Sequence, residues 1–280
     1  MLKVGIMQGR LSPRPYPKIQ SFPWNSWENE FKLASEVGLY SIEWIFEKNR
    51  FEENPVWTKE GRTEIDRIIK RTGTKIRSLC ADYFLENYIY QYTVAERKKQ
   101  TNIMIELIKK ASDIGVRTIL FPVLEEAELK NDDDKKTLCE FLNDCDDTLK
   151  ANNIIIGIEA ELEAKRYLQL IQEIHNSNVK VYYDAGNCAA KGYDTKSDLE
   201  LLYDSLISVH IKDRKRNGPS VFLGQGDTDI RGGILALLER CFEGQIILQT
   251  YFEDDYYQTT KQNVAYISGI VKQYMEDKSN

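Results

Sequence analysis

Short apolar runs alternate along this chain with longer stretches in which apolar residues recur every three or four positions. The short runs are Lys3–Gln8, Tyr40–Trp44, Lys75–Cys80, Thr118–Pro122, Ile154–Glu159, Val179–Asp184, Leu206–Ile211 and Gln245–Gln249. They are rich in β-branched residues and do not alternate strictly with polar ones, the pattern of strands covered on both faces in a parallel sheet. The stretches between them predict helices. Asn25 with Glu28 marks one start, with Gly38 as its stop, and Thr93 with Glu96 forms a capping box that opens a helix running to about Gly115. Leu138, Phe141, Leu142, Cys145 and Leu149 share one helical face and predict core packing. Asp132–Asp134 begin that helix and suit its positive dipole end better than a metal site. Eight strand–helix units predict an α/β fold, one closed (β/α)8 barrel spanning residues 1–280. An open doubly wound sheet would want a Gly-rich fingerprint after the first strand, and there is none. No linker or composition shift divides the chain.

Composition narrows the function. Hydrophobic residues make up 42% of the 280, enough for a sizeable core, and no apolar run reaches membrane-spanning length. The amino terminus lacks the apolar stretch of a signal peptide. A net charge of −6 argues against a nucleic-acid partner. Cys80, Cys139, Cys145, Cys188 and Cys241 are odd in number and form no CxxC pair, which predicts reduced thiols and a cytoplasmic protein. The expected partner is a small molecule, with no membrane and no nucleic acid. Self-association into a homo-oligomer is left open.

A closed barrel predicts where chemistry lies, because side chains at the carboxyl ends of its strands converge on one mouth. The last four strands end in Glu159, Asp184, His210 and Gln249. Two carboxylates, one imidazole and one amide oxygen form a donor set for a divalent cation, Mn, Co, Mg or Zn. Singly, each has a plainer reading as a helix cap or a structural polar residue. The other histidine, His175, falls on the helix after the fifth strand, so a His-rich zinc cluster is excluded. At the other strand ends, Gln8, Arg10, Glu43 and Asp82 are candidate substrate-binding residues. Arg10 would meet an anionic group and Glu43 a hydroxyl. Lys212, Arg214, Lys215 and Arg216 form a basic run that reads either as a solvated loop or as an anion grip, with Lys212 and Arg214 the candidates at the mouth. Asp213 is placed to orient His210 or to cap the following turn. Trp44, Tyr83 and Phe84 read as apolar faces for a sugar ring or as core.

The carboxyl-terminal third resembles a known family. VHIKD at 209–213, LGQGDTDI at 223–230 and IILQT at 246–250 are similar to the H-x-K-D, G-x-G-x-x-D and I-x-x-E pattern of the xylose-isomerase-like barrels, a group of sugar and sugar-phosphate isomerases and epimerases. GIMQGRLSP at 5–13, SIEWIF at 41–46 and YDAGN at 183–187 also fit. The resemblance implies a divalent metal held by Glu, Asp, His and Glu from strands five to eight, carried here by Glu159, Asp184 and His210. The two glutamates serve such epimerases as an acid/base pair. The fourth position here is Gln249. The related apurinic-site endonucleases need several zinc ions and many histidines, which two histidines cannot supply.

An amide oxygen can still ligate a hard cation, but it cannot accept a proton near neutral pH. Three functions follow. Glu159 alone could shuttle a proton between adjacent carbons in an isomerase. Lys212, Tyr251, Glu253 or Asp254 could replace the missing base of an epimerase. Or the barrel could act as a dehydratase of a sugar-derived acid or ketone, or bind sugar without isomerase chemistry.

Overall fold

The computed structural model describes residues 2–13 and 20–279. Among the described residues there are ten strands: β1 (Lys3–Met7), β2 (Ser41–Ile45), β3 (Lys75–Cys80), β4 (Thr118–Pro122), β5 (Ile155–Glu159), β6 (Val179–Asp184), β7 (Leu206–Ile211), β8 (Asp213–Arg214), β9 (Ser220–Val221) and β10 (Gln245–Leu248). Eight close into a parallel barrel in the order β1-β2-β3-β4-β5-β6-β7-β10, with β10 paired back to β1. The short β8 and β9 form an antiparallel hairpin in the loop after β7. The helices are α1 (Trp27–Glu36), α2 (Lys59–Thr72), α3 (Tyr83–Glu86), α4 (Val94–Asp113), α5 (Asp132–Asp144), α6 (Asp146–Asn152), α7 (Ala164–Ile174), α8 (Ala185–Ala190), α9 (Thr195–Leu202), α10 (Ile230–Glu239) and α11 (Tyr256–Ser279). No helix among the described residues is long and apolar enough to cross a membrane, and all five cysteines are free thiols.

All eight expected strands are present, shifted by no more than a residue. Helix ends held less well. The Thr93–Glu96 capping box forms, and Gly38 stops α1 with a φ of +78°. Asn25 is not the cap of α1; Ser26 takes that position, with its hydroxyl donated to Ser12 Oγ instead of to the helix. The apolar face through Leu138 and Leu149 spans two helices, because the ladder breaks at Cys145 (φ −90°, ψ −9°).

Successive strand residues point to opposite faces. Outward residues such as Trp44, Ile158 and Val209 are fully buried under the helices. Trp44 packs against Trp27 and Phe31 of α1 and donates its indole N–H to Asn54. The pore face carries Ser41, Glu43, Ser78, Tyr182, Ser208 and His210, all buried and polar. Space for them comes from small residues: a Cβ on Gly157 would lie 2.9 Å from the Tyr182 side chain.

Segments far apart in the sequence meet at the mouth. Arg10 Nε donates to Thr250 O at 3.0 Å, Thr260 Oγ1 donates to Arg10 O at 3.3 Å, and Asn263 Nδ2 donates to Thr250 Oγ1 at 2.8 Å. Thus α11 clasps the loop after β1 to the loop after β10. Glu30, buried on α1, completes the first loop by accepting from Gly9 N at 2.9 Å and Leu11 N at 3.2 Å. Burial pushes its carboxyl up to about 7, against these hydrogen bonds.

Candidate metal centre at the barrel mouth

Glu159, Asp184 and His210 end or nearly end β5, β6 and β7. One potential ligand atom from each lies within 4.8 Å of the others, and all three residues are buried. His210 Nδ1 is 3.7 Å from both Glu159 Oε1 and Asp184 Oδ2. Each of these groups is anchored from behind. Asp184 caps α8 by accepting from Asn187 N at 2.8 Å through Oδ1, which leaves Oδ2 for the site. The Tyr167 hydroxyl from α7 lies 3.0 Å from Ala160 N and close to Ile158 O, bracketing Glu159.

His210 is held by a residue whose role the sequence reading missed. Its Nε2 lies 2.6 Å from Glu43 Oε1, and the other Glu43 oxygen accepts from the Tyr182 hydroxyl at 2.6 Å. Glu43 is fully buried with both oxygens engaged, so it does not reach a substrate hydroxyl, as was expected of it. The strand register shifts between Ile42 and Glu43 and between Val181 and Tyr182. Such irregularities re-aim side chains near functional sites, and here they fall next to both partners in this contact. Asp213 does not orient His210. Its carboxylate accepts from Gly224 N, Gly226 N and Thr228 N at 2.8–3.2 Å and knots the loop after β7.

Burial would lower the proton affinity of His210, but Glu43, Asp184 and Glu159 together hold it well above the usual range. Burial pushes the Glu159 carboxyl up. Burial acts likewise on Asp184, but Lys212 and His210 overcome it and hold that carboxyl well below the ordinary range. His210 Nδ1 and Asp184 Oδ2 are buried without a hydrogen-bond partner. Lys212 Nζ lies 2.9 Å from Asp184 Oδ2, at ion-pair distance but off the hydrogen-bonding direction. Asp184 Oδ2 is thus ion-paired, while the His210 Nδ1 atom, 3.7 Å from two carboxylate oxygens, is a buried polar atom that is costly unless something is bound there. A divalent cation fits this donor set. Glu43 would keep the Nε2 proton and leave the Nδ1 lone pair to a cation.

Above the triad opens a cavity of about 790 Å³. Arg10, Asp82, Glu159, Lys212, Arg214 and Gln249 all line it. Gln8 does not. It is fully buried, with Oε1 accepting from Ile45 N, which corrects its expected substrate contact. Asp82 accepts from Gln20 Nε2 at 2.8 Å and from the Cys80 thiol at 3.1 Å, and burial pushes its carboxyl up. Arg214 turns Nε and Nη2 onto Gly218 O and Nη1 onto Asn187 Oδ1. Lys215 and the Arg216 backbone turn to Asp227 instead, on the exposed side of the loop. Trp44, Tyr83 and Phe84 pack in the core and offer no sugar face. His175 is exposed at the end of α7. Of the suggested replacement bases, Tyr251 lines the cavity and donates to Glu253, while Glu253 and Asp254 are exposed and do not line it.

Gln249 is reached by Lys212, whose Nζ donates to Gln249 Oε1 at 2.7 Å. Gln249 Nε2 donates to Gln20 Oε1 at 3.1 Å. Gln20 lies in the loop after β1 and drew no attention in the sequence, because no motif marks a loop amide.

Known proteins share this architecture. The chain is 24% identical over 230 residues to L-ribulose-5-phosphate 3-epimerase of Salmonella heidelberg (strain SL476), spanning 78% of this chain and 76% of that protein. The solved 3-keto-D-glucoside 4-epimerase of E. coli superposes with a TM-score of 0.74 at 16% identity, covering 96% of this chain and all of the other. The IOLI protein, solved with a zinc atom bound, superposes with a TM-score of 0.66 at 16% identity, covering 98% of this chain and 97% of that one. Residues 31–268 match the xylose isomerase-like TIM barrel as a family, and it is to this family that the chain belongs.

Proposed function

We propose that the protein is a divalent-metal-dependent isomerase or epimerase of a small carbohydrate. The observation that carries this reading is the convergence of Glu159, Asp184 and His210, with His210 Nδ1 left without a hydrogen bond, beneath a cavity of sugar-binding size. The epimerase names of its relatives support the same reaction class.

Bound at these three side chains, a divalent cation would polarise a substrate carbonyl and its neighbouring hydroxyl. The chain's own residues supply the rest. Glu159 lines the cavity and takes the proton from the carbon beside the carbonyl. After exchange with water in the cavity, the same carboxyl delivers a proton to the former carbonyl carbon on the same face, while the hydroxyl proton passes to the former carbonyl oxygen. Lys212, hydrogen-bonded to Gln249 and ion-paired with Asp184, keeps a donor for the oxygen on which charge gathers. Gln249 puts no carboxylate on the opposite face, which favours proton transfer between adjacent carbons over inversion at one carbon.

The cavity lining also bears on the substrate. Glu47, Asp82, Glu86, Glu125, Glu159 and Glu161 face Arg10, Lys212 and Arg214. An excess of carboxylates, with Arg214 already tied to Gly218 and Asn187, favours an unphosphorylated polyhydroxy substrate over a sugar phosphate. The test is solvent-deuterium incorporation by Mn- or Co-loaded protein into ketoses, aldoses and their phosphates, followed by NMR. Exchange into a free sugar that Glu159→Gln abolishes is the expected result. No exchange into any of these substrates, with metal bound, would reject the reading.

A further inference from the structure

The fourth corner of the site departs from the glutamate that the resemblance implies, and its surroundings give a reason. Lys212 donates to Gln249 Oε1, Gln249 Nε2 donates to Gln20 Oε1, and Gln20 Nε2 donates to Asp82 Oδ2, at 2.7, 3.1 and 2.8 Å. Arg10 Nη2 donates to the same Gln20 oxygen at 3.3 Å. The chain runs one way only. An ammonium, which only donates, fixes the oxygen of Gln249 at one end, and a carboxylate fixes the nitrogen of Gln20 at the other. A glutamate at 249 would set its oxygens against the Gln20 oxygen. Turning Gln20 over would set that oxygen against Asp82. An amide is the side chain that satisfies both neighbours.

The lysine is equally built in. A Cβ on Gly186 would lie 2.2 Å from Lys212 Cγ and 2.9 Å from Lys212 O, so the glycine clears a lane for its stem. The side chain then ends 2.9 Å from Asp184 Oδ2, the oxygen left over from capping α8.

We infer that the Lys212 ammonium closes the fourth corner, held there by the one-way chain Gln249–Gln20–Asp82, so that a cation is taken by three protein side chains and Gln249 is a positioning residue for Lys212 and not a ligand. This rests on the metal reading above. A fixed positive charge beside a ligand oxygen opposes a second cation, so the device also keeps the metal weakly held.

Calorimetric titration of the full chain with MnCl2 or CoCl2, alongside thermal unfolding to check folding, tests this directly. Lys212→Met should bind the metal at least tenfold more tightly than the unaltered chain. Gln249→Ala should bind it equally or more tightly, since the lysine is then less firmly held. Gln249→Ala weakening the metal tenfold, or Lys212→Met failing to tighten it, would overturn the inference and leave the metal reading standing. No binding by the unaltered chain or by either variant would overturn both.

Discussion

The two faces of the barrel strands differ sharply although they belong to the same short segments. The outward face of β2, β5 and β7 is Trp44, Ile158 and Val209, closed over by helices. The pore face of the same strands is Glu43, Glu159, Ser208 and His210, equally buried but polar. Burial alone therefore does not separate stability from function here; partner chemistry does. On the outer face, apolar area removed from water is the stabilising term. On the inner face each polar group is retained at a desolvation cost that only a hydrogen-bond partner or a bound cation offsets.

Substitutions on the two faces should separate these contributions. The largest effect is expected outside. Trp44→Ala empties a packed aromatic cluster and orphans Asn54, and should lower unfolding free energy by roughly 3–5 kcal/mol in denaturant titration. Glu30 is a buried acid in the outer layer and gives a pH signature. Its carboxyl rises from 4.5 in the unfolded chain to about 7 when folded, so the folded state holds the proton more tightly. The stability it contributes is complete below about pH 4.5 and is lost as pH rises to about 7, by roughly 3 kcal/mol. Subtracting the stability–pH curve of Glu30→Gln from that of the unaltered chain should recover this slope, and a flat difference would refute it. On the pore face, Glu43→Gln should leave folding nearly intact and weaken Mn or Co binding by about 10- to 100-fold in calorimetry, because the His210 ring loses the negative charge of its partner. The smallest change is Ser41→Ala, which deprives Gln245 Oε1 of its donor at 2.6 Å and should cost about 1 kcal/mol of stability with metal affinity unchanged. Were Ser41→Ala to weaken metal binding as much as Glu43→Gln, the pore would have to be treated as one coupled network.

The sequence exposed the strands because full burial on both faces leaves short unbroken apolar runs. It exposed Glu159, Asp184 and His210 because a polar residue ending such a run stands out. Glu43 was placed at the mouth but misread, since its true depth depends on a register shift between neighbouring strands that no single strand encodes. Asp213 offered two readings, and the backbone N–H groups that decided between them lie 11 to 15 residues further on. Gln20 was invisible. Its importance comes from partners 62 and 229 residues away, and only closure of the barrel brings them together.

That closure has a consequence for synthesis. The clasp between Arg10, Thr250, Thr260 and Asn263 joins the first loop to the last helix. A chain emerging from the ribosome amino end first can lay down β1 and its loop early. It cannot lock the mouth until Asn263 has cleared the exit tunnel. Until then Arg10 and the loop holding Gln20 lack their carboxyl-terminal partners, and the pore's polar side chains stay open to water. The site is completed only after α11 has begun to form, by the same hydrogen bonds that join the loop after β1 to that helix.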